Sequence, residues 1–141
     1  MSEQQPEQQP EHRSEQDEQA IQELAGRLFE AARTGDAETL GRYVDAGLPV
    51  NLANDRGDTL LMLAAYHGHA DAVRALLTRG ADPDRANDRG QTPLAGAVFK
   101  SEGEVVAALV GAGADPDAGT PSAREAARMF GKEDMLSPTG G

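Results

Sequence analysis

The chain has 141 residues, the length of one ordinary domain with room for a tail. Its 24 acidic residues outnumber the 13 basic ones, and the net charge of −11 argues against binding to a nucleic-acid backbone or an anionic membrane surface. Cysteine is absent, which excludes disulfide frameworks, thiolate metal ligands and cysteine nucleophiles.

The N-terminal segment differs in composition from the rest of the chain. Residues 1–18 contain six acidic residues against Arg13, and no aliphatic residue follows Met1. Such a segment cannot bury enough apolar surface to offset the entropy lost on ordering, so we expect residues 1–13 to be a disordered acidic tail that promotes solubility. It lacks the apolar core of a signal peptide, and no apolar run in the chain is long enough to span a membrane. We therefore expect a cytoplasmic protein with no membrane partner.

The rest of the chain repeats every 33 residues. Residues 54–57 (Asn-Asp-Arg-Gly) recur as residues 87–90, and residues 80–84 (Gly-Ala-Asp-Pro-Asp) recur as residues 113–117. The glycines that close each unit keep the same interval, at Gly47, Gly80 and Gly113. Repeats of this length predict a solenoid, in which each unit buries its apolar face against its neighbours.

Within a unit, the residue spacing predicts two short helices joined by a turn. In the second unit, Thr59 is a suitable N-cap for a first helix that ends before Gly68, since glycine adopts a left-handed backbone without penalty. A second helix is predicted over about residues 70–78. The first unit opens with a long helix over about residues 15–34, whose apolar face includes Ile21, Leu24 and Leu28. The fourth unit is degenerate, and its second helix has barely begun at residues 133–136.

The second unit resembles an ankyrin repeat through Asp-Arg-Gly-Asp-Thr-Leu-Leu-Met-Leu-Ala-Ala-Tyr-His-Gly-His at residues 55–69 and Gly-Ala-Asp at residues 80–82. The third unit matches through Gly-Gln-Thr-Pro-Leu at residues 90–94 and Gly-Ala-Asp at residues 113–115. The resemblance extends over about residues 20–136 and implies an all-α fold, an ankyrin-repeat α-solenoid of stacked helix–turn–helix units with extended loops. We expect a repeat domain at 14–136, divided into an N-terminal capping repeat (14–53), two further repeats (54–86 and 87–117) and a degenerate C-terminal repeat (118–136), followed by a flexible C-terminus at 137–141.

The third unit departs from this pattern. Gly96 stands where the second unit has Leu63, and Ser101 stands where it has Gly68. Because a glycine inside a helix costs roughly 1 kcal/mol relative to alanine, we expect the third unit to be looser than the second.

The resemblance implies that partners bind at the loop tips and on the exposed face of each first helix. Carried over position by position, the partner-binding candidates are Arg33, Asp55, Arg56, Asp58, Tyr66, His67, Asp88, Arg89, Gln91, Phe99 and Lys100. Tyr66 and Phe99 are two of only five aromatic residues, and aromatic residues and arginine dominate interface energetics. For Phe99 the sequence leaves open a second arrangement, in which the ring folds back over the third unit.

Patterns typical of catalysis or cofactor binding are weak. His67 and His69 form a His-x-His pair, but no third ligand stands at a recognisable spacing, so we expect no metal site. The Asp-Pro-Asp runs at residues 82–84 and 115–117 resemble carboxylate pairs, but they recur in register and are better explained as turns. No phosphate-binding loop is present. We therefore expect no enzymatic activity and no cofactor.

The sequence thus predicts a non-catalytic protein–protein interaction module that binds a protein partner through the concave face of the repeats, with a regulatory or accessory role toward an enzyme. The alternative is a structural or assembly protein that self-associates through an exposed C-terminal repeat face. In the first case Met129, Phe130, Met135 and Leu136 seal the C-terminal end of a monomer; in the second they leave it open. The use of 11 arginines against two lysines is typical of a GC-rich bacterial genome.

Overall fold

The computed structural model describes residues 15–137, so the predicted tail at residues 1–13 and residues 138–141 of the predicted flexible C-terminus lie outside the described part. Within that part the chain is all-α, with two isolated β-bridges in its loops. Its helices are α1 Glu15–Thr34, α2 Ala37–Asp45, α3 Leu60–Tyr66, α4 Ala70–Leu77, α5 Pro93–Phe99, α6 Gly103–Gly111, α7 Ala123–Phe130 and a 3-10 helix at Glu133–Leu136. None of these helices is long and apolar enough to cross a bilayer.

The helices pair within each unit and stack from one unit to the next. α1 packs on α2, α3 on α4, α5 on α6, and α7 on the 3-10 helix. The first helices α1, α3, α5 and α7 contact one another in order. The second helices α2, α4 and α6 do the same, and the 3-10 helix packs against α6. This stacking buries one continuous core, as the 33-residue repeat predicts.

The repeat of small residues explains how such short helices come close together. Alanine stands at the equivalent position of every first helix, and it is buried at each of them: Ala31, Ala64, Ala97 and Ala127. Leucine and valine side chains of the second helices, such as Leu40, fill the space between the layers.

The predicted helix ends are confirmed. The Thr59 hydroxyl accepts a hydrogen bond from the Met62 amide (3.0 Å), and the Thr92 hydroxyl accepts one from the Ala95 amide (3.2 Å). Gly68, with φ of +78°, follows α3 in the left-handed conformation. Ser101 keeps the same conformation after α5, with φ of +61°, although it carries a side chain. A left-handed backbone costs a residue with a side chain roughly 1–2 kcal/mol, so the turn of the third unit is strained.

The apolar face predicted for α1 is buried only toward its C-terminal end. Leu28 is buried and Leu24 is half-buried, but Ile21 is 47% exposed. The sequence predicts which residues share the apolar face of α1, but the far end of that face, with Ile21, is left uncovered. The reason is length: α1 has 20 residues, whereas its neighbours α2 and α3 have nine and seven and cannot cover its first turns.

The C-terminal end is sealed by only two of the four residues expected there. Met135 and Leu136 of the 3-10 helix pack partly buried against the core. Met129 and Phe130, in the last turn of α7, are 67% and 47% exposed, so the prediction of a four-residue seal is wrong for them.

The loops after the second helices also link neighbouring units. The Asp82 amide donates to Asn51 Oδ1 (2.8 Å), and one unit later the Asp115 amide donates to Asp84 Oδ1 (2.7 Å). Inside each loop the first aspartate accepts from the amide of the second, at 3.0 Å in Asp82–Asp84 and 2.9 Å in Asp115–Asp117. These carboxylates shape turns and join units, as the periodicity predicts.

Candidate functional site

The loop tips of the second and third units form a polar groove of about 390 Å³. It brings together seven of the residues predicted from sequence: Asp55, Arg56, Asp58, Tyr66, Asp88, Arg89 and Gln91. We call this the polar groove. Among residues 15–137, Arg56 and Arg89 form no salt bridge, and neither do Asp55 and Asp88, so these charges face the groove without a partner of opposite sign.

Two asparagines that the sequence analysis did not select shape these tips. Asn54 Oδ1 accepts from the amides of Arg56 (2.9 Å) and Asp58 (3.0 Å). Asn87 Oδ1 accepts in the same way from the amides of Arg89 (2.9 Å) and Gln91 (3.0 Å). Their recurrence at the 33-residue interval was the available signal, since an asparagine that holds its own turn is typical of such tips.

Asn87 also fixes one tip against the other. Its Nδ2 donates to Asp58 Oδ1 (2.8 Å) and to Gln91 Oε1 (2.8 Å). The Asp88 amide donates to the Arg56 carbonyl (3.0 Å) in addition. Asp58 and Gln91 therefore each accept a hydrogen bond from Asn87 through one side-chain oxygen, and these bonds hold the two loop tips of the groove together.

An apolar pocket of about 240 Å³ adjoins the polar groove, with Met62, Tyr66 and Gln91 common to both. We call this the apolar pocket. Its remaining lining residues are Ala95, Gly96, Phe99, Pro121, Ala126, Met129 and Phe130.

The apolar pocket exists because its floor is made of small residues. Ala95 and Gly96 stand one repeat after Met62 and Leu63, so the third unit has small residues where the second unit has larger side chains. A Cβ atom added at Gly96 would lie 3.3 Å from Met62 Cε and 3.6 Å from Tyr66 Cδ1. The sequence predicts from Gly96 that the third unit is loose. In the structure, the missing side chain leaves space for the apolar pocket.

Two aromatic residues predicted from sequence line the apolar pocket and remain accessible. Tyr66 is 37% exposed and Phe99 is 52% exposed. Phe99 does not fold back over its own unit, which was the second arrangement left open for it. Its ring meets that of Phe130 edge to face at 5.5 Å between centroids and 73° between planes.

Two lysines lie over the rings of the apolar pocket. Lys100 Nζ is 4.6 Å from the centroid of the Tyr66 ring, and Lys132 Nζ is 5.4 Å from that of Phe130. Lys132 also donates to the carbonyls of Val98 (3.2 Å) and Phe99 (3.0 Å), at the C-terminal end of α5, where unpaired carbonyls and the helix dipole favour a cation. Lys132 was not selected from sequence, although it occupies the position after the turn glycine that His69 has in the second unit.

The remaining predicted residues lie beside the groove and the pocket. Arg33, at the end of α1, is exposed and pairs with Glu30 at 2.9 Å. His67 is exposed, and its ring lies perpendicular to that of Tyr66 with 5.4 Å between the ring centroids. Partial burial lowers the pKa of His67, and the positive charges of His69, Lys100 and Arg33 lower that pKa further.

His69 has a structural role. Its Nε2 lies 2.7 Å from the Arg33 carbonyl oxygen and donates to it in the tautomer protonated at that nitrogen. The rings of His67 and His69 are 6.4 Å apart. Within residues 15–137, no group of three or more histidine and acidic residues is placed to hold a metal ion.

Two comparisons with known proteins bear on this site. The family model for ankyrin repeats, in three copies, matches residues 28–120. A Pseudomonas aeruginosa protein, described by its name as an ankyrin repeat protein, is 51% identical over 47 residues. Those residues are 33% of this chain and only 28% of the relative, so the likeness extends over repeat units and far less than the whole relative.

Proposed function

The chain belongs to the ankyrin repeat family, and on that premise we propose that it binds a protein partner through the surface made of the polar groove and the apolar pocket. We call this surface the interaction face; it corresponds to the concave face of the family. Ankyrin repeats are in general protein–protein interaction modules and are generally non-catalytic. The finer proposal is a non-catalytic module that is regulatory or accessory to an enzyme.

The observation that carries this proposal is the gathering of aromatic residues on one face. Tyr66, Phe99 and Phe130 are three of the five aromatics in the chain, and all three line the apolar pocket. Beside them lie the unpaired charges of the polar groove. An apolar centre with a polar surround is the usual anatomy of a protein interface.

The proposal gives different roles to the residues of the face. Tyr66 and Phe99 are the apolar anchors, since rings in a central pocket supply most of the binding energy of an interface. The unpaired side chains of the polar groove contact polar groups of the partner. The remaining proposed contacts, at the edge of the face, are Arg33, His67 and Lys100.

Partner capture by a double variant tests this proposal. The bait with Tyr66→Ala and Phe99→Ala is compared with wild type in pull-downs from the native host, read by mass spectrometry. Truncating one hot-spot side chain costs about 2 kcal/mol or more, or about 30-fold in affinity. Because such losses are not additive, we expect the affinity of the double variant for the captured protein to fall by at least that factor. Ile21→Ala is the matched control, because it truncates an exposed apolar side chain outside the interaction face. Equal capture by the double variant and wild type would rule out this face.

A second candidate function is favoured by the exposure of Met129 and Phe130 at the C-terminal repeat. An assembly protein would use these side chains to associate with a second copy. Sedimentation at increasing concentration separates the two candidates. A monomer at the highest concentration removes the assembly function, whereas a dimer that Met129→Ala dissociates favours it.

A further inference from the structure

We propose that the apolar pocket receives one bulky apolar side chain that a protein partner carries directly beside acidic residues. The inference rests on the proposed function and adds the chemistry of the partner. It is argued from the size of the pocket, the nature of its walls and the charge at its rim.

The size of the apolar pocket suits a single side chain. Its volume of about 240 Å³ is below the roughly 300–1,000 Å³ of sites for drug-sized ligands. Its floor is open because Ala95, Gly96 and Ala126 are small, whereas the second unit has Met62 and Leu63 at the positions of Ala95 and Gly96. The pocket is therefore already formed in the free protein, and a side chain can enter it without displacing the helices.

The walls of the apolar pocket select an apolar occupant. Tyr66, Phe99 and Phe130 present rings to it, and Met62 and Met129 add flexible apolar side chains. Apart from the Tyr66 hydroxyl, Gln91 is the one polar side chain among the lining residues, and its Oε1 already accepts from Asn87. A polar side chain entering the pocket would lose its contacts with water and gain few in return.

The charged side chains that lie over the rings of the apolar pocket are both lysines. Lys100 and Lys132 lie over the rings of Tyr66 and Phe130, at 4.6 and 5.4 Å from the centroids, so the positions that would attract a cation are occupied. Neither lysine forms a salt bridge within residues 15–137. The two lysines would repel a basic partner residue next to the inserted side chain. An acidic partner residue at that place could form a salt bridge with Lys100.

The charges around His67 are mostly positive, although the carboxylate of Glu102 also lies at this edge, beside Gly68, and forms no salt bridge with Lys100. The pKa of His67 is lowered by burial and, beyond that, by the positive charges of His69, Lys100 and Arg33. Glu30 is paired with Arg33. Charge complementarity therefore points to acidic residues on the partner segment at this edge of the face.

Three of the four methionines provide a direct test by NMR of the methyl-¹³C-labelled full chain. Met62 and Met129 line the apolar pocket, whereas Met135 packs against the core on the 3-10 helix and serves as an internal reference. The probe is a synthetic peptide with Phe-Leu between two pairs of glutamates. A second peptide has lysines in place of the glutamates, and a third has Ala-Ala in place of Phe-Leu. We expect the first peptide to shift the methyl signals of Met62 and Met129 and to bind at least tenfold more tightly than the other two.

Two variants test the two parts of the proposal separately. Gly96→Leu places in the pocket the side chain that the second unit has, so binding of the acidic peptide should be lost while far-ultraviolet circular dichroism is unchanged. Lys100→Glu changes an exposed residue and should reverse the preference, so that the lysine peptide binds more tightly. Arg85→Glu makes the same charge change in an exposed loop residue outside the face and should leave the preference unchanged.

The outcomes separate this inference from the proposed function. Shifts of Met135 alone, equal binding of the acidic and lysine peptides, or an unchanged preference in Lys100→Glu would each overturn the inference. If no peptide binds while the Tyr66→Ala, Phe99→Ala variant loses its native partner, the inference is wrong and the proposed function stands. If the acidic peptide binds as expected while that variant captures the partner normally, the pocket chemistry is right and the proposed function fails.

Discussion

Glu102 interrupts a series of hydrogen bonds that join neighbouring units. The residue after the turn, at the start of each second helix, reaches back to the end of the preceding unit's first helix. His69 reaches the Arg33 carbonyl at 2.7 Å, and Lys132 reaches the Phe99 carbonyl at 3.0 Å. Glu102 occupies the same position in the third unit but its carboxylate cannot donate a hydrogen bond.

The equivalent acceptor for residue 102 is the Tyr66 carbonyl, 33 residues after that of Arg33. Glu102 already lies in the right place, since a Cβ added at Gly68 would be 2.6 Å from its Oε1. Its carboxylate therefore lies near the C-terminal end of α3, where the helix dipole disfavours a negative charge.

We predict that Glu102→His restores the missing hydrogen bond and stabilises the fold. A net hydrogen bond contributes about 0.5–1.5 kcal/mol. The carboxylate of Glu102 is unfavourable at the C-terminal end of α3 and favourable at the N-terminal end of α6. Removing it changes the stability by a few tenths of a kcal/mol at each end, in opposite directions, so the two helix-dipole contributions cancel. The free energy of unfolding should rise by roughly 0.5–1.5 kcal/mol, which for a chain of this size raises Tm by about 2–6 °C.

Urea unfolding followed by circular dichroism at pH 7.5 measures this gain. Glu102→Ala is the control, because it removes the carboxylate without adding a donor. His69→Ala should lower the stability by a similar amount, through loss of the bond to Arg33. If Glu102→His is no more stable than Glu102→Ala, a donor at the residue after the turn does not join neighbouring units.

Two further predictions concern the turns of the second and third units. Ser101→Gly should raise the free energy of unfolding by about 0.5–1 kcal/mol in the same urea assay. The glycine relieves roughly 1–2 kcal/mol of left-handed strain, which exceeds the cost of the added entropy of the unfolded chain. An unchanged or lower free energy of unfolding would contradict the strain at this turn. The pKa of His67, read by NMR titration, should lie below the ordinary 6.5, and Lys100→Ala should raise it. With a lowered pKa in the fold, His67 binds a proton more readily in the unfolded state. The free energy of unfolding should therefore fall as the pH falls from about 6.5 through the pKa of folded His67. A measured pKa at or above 6.5 would refute this prediction.

The fold could be predicted from sequence because its determinants are local and periodic. Thr59 and Thr92 begin helices through hydrogen bonds to amides three residues later, and Gly68 ends one through its backbone conformation. Each of these interactions lies within a few residues, so the pattern of one unit predicts that of the next.

The details of the candidate site could not be predicted because they depend on contacts between units. The same holds outside the site for the exposure of Ile21, which follows from the short lengths of the helices beside it. The contact of Phe99 with Phe130 depends on where the degenerate fourth unit places its last turn. The bond from Asn87 to Asp58 spans 29 residues and is set by the stacking of the loop tips.

The central claim is that a protein partner binds across the polar groove and the apolar pocket. Amide hydrogen exchange of the free chain and of its complex with the captured native partner tests this most directly. The account predicts slower exchange on binding at the loop tips, residues 54–58 and 87–91, and at the ends of α3 and α5, with unchanged exchange in α2, α4 and α6. Protection confined to α2, α4 and α6, with the loop tips unchanged, would contradict it.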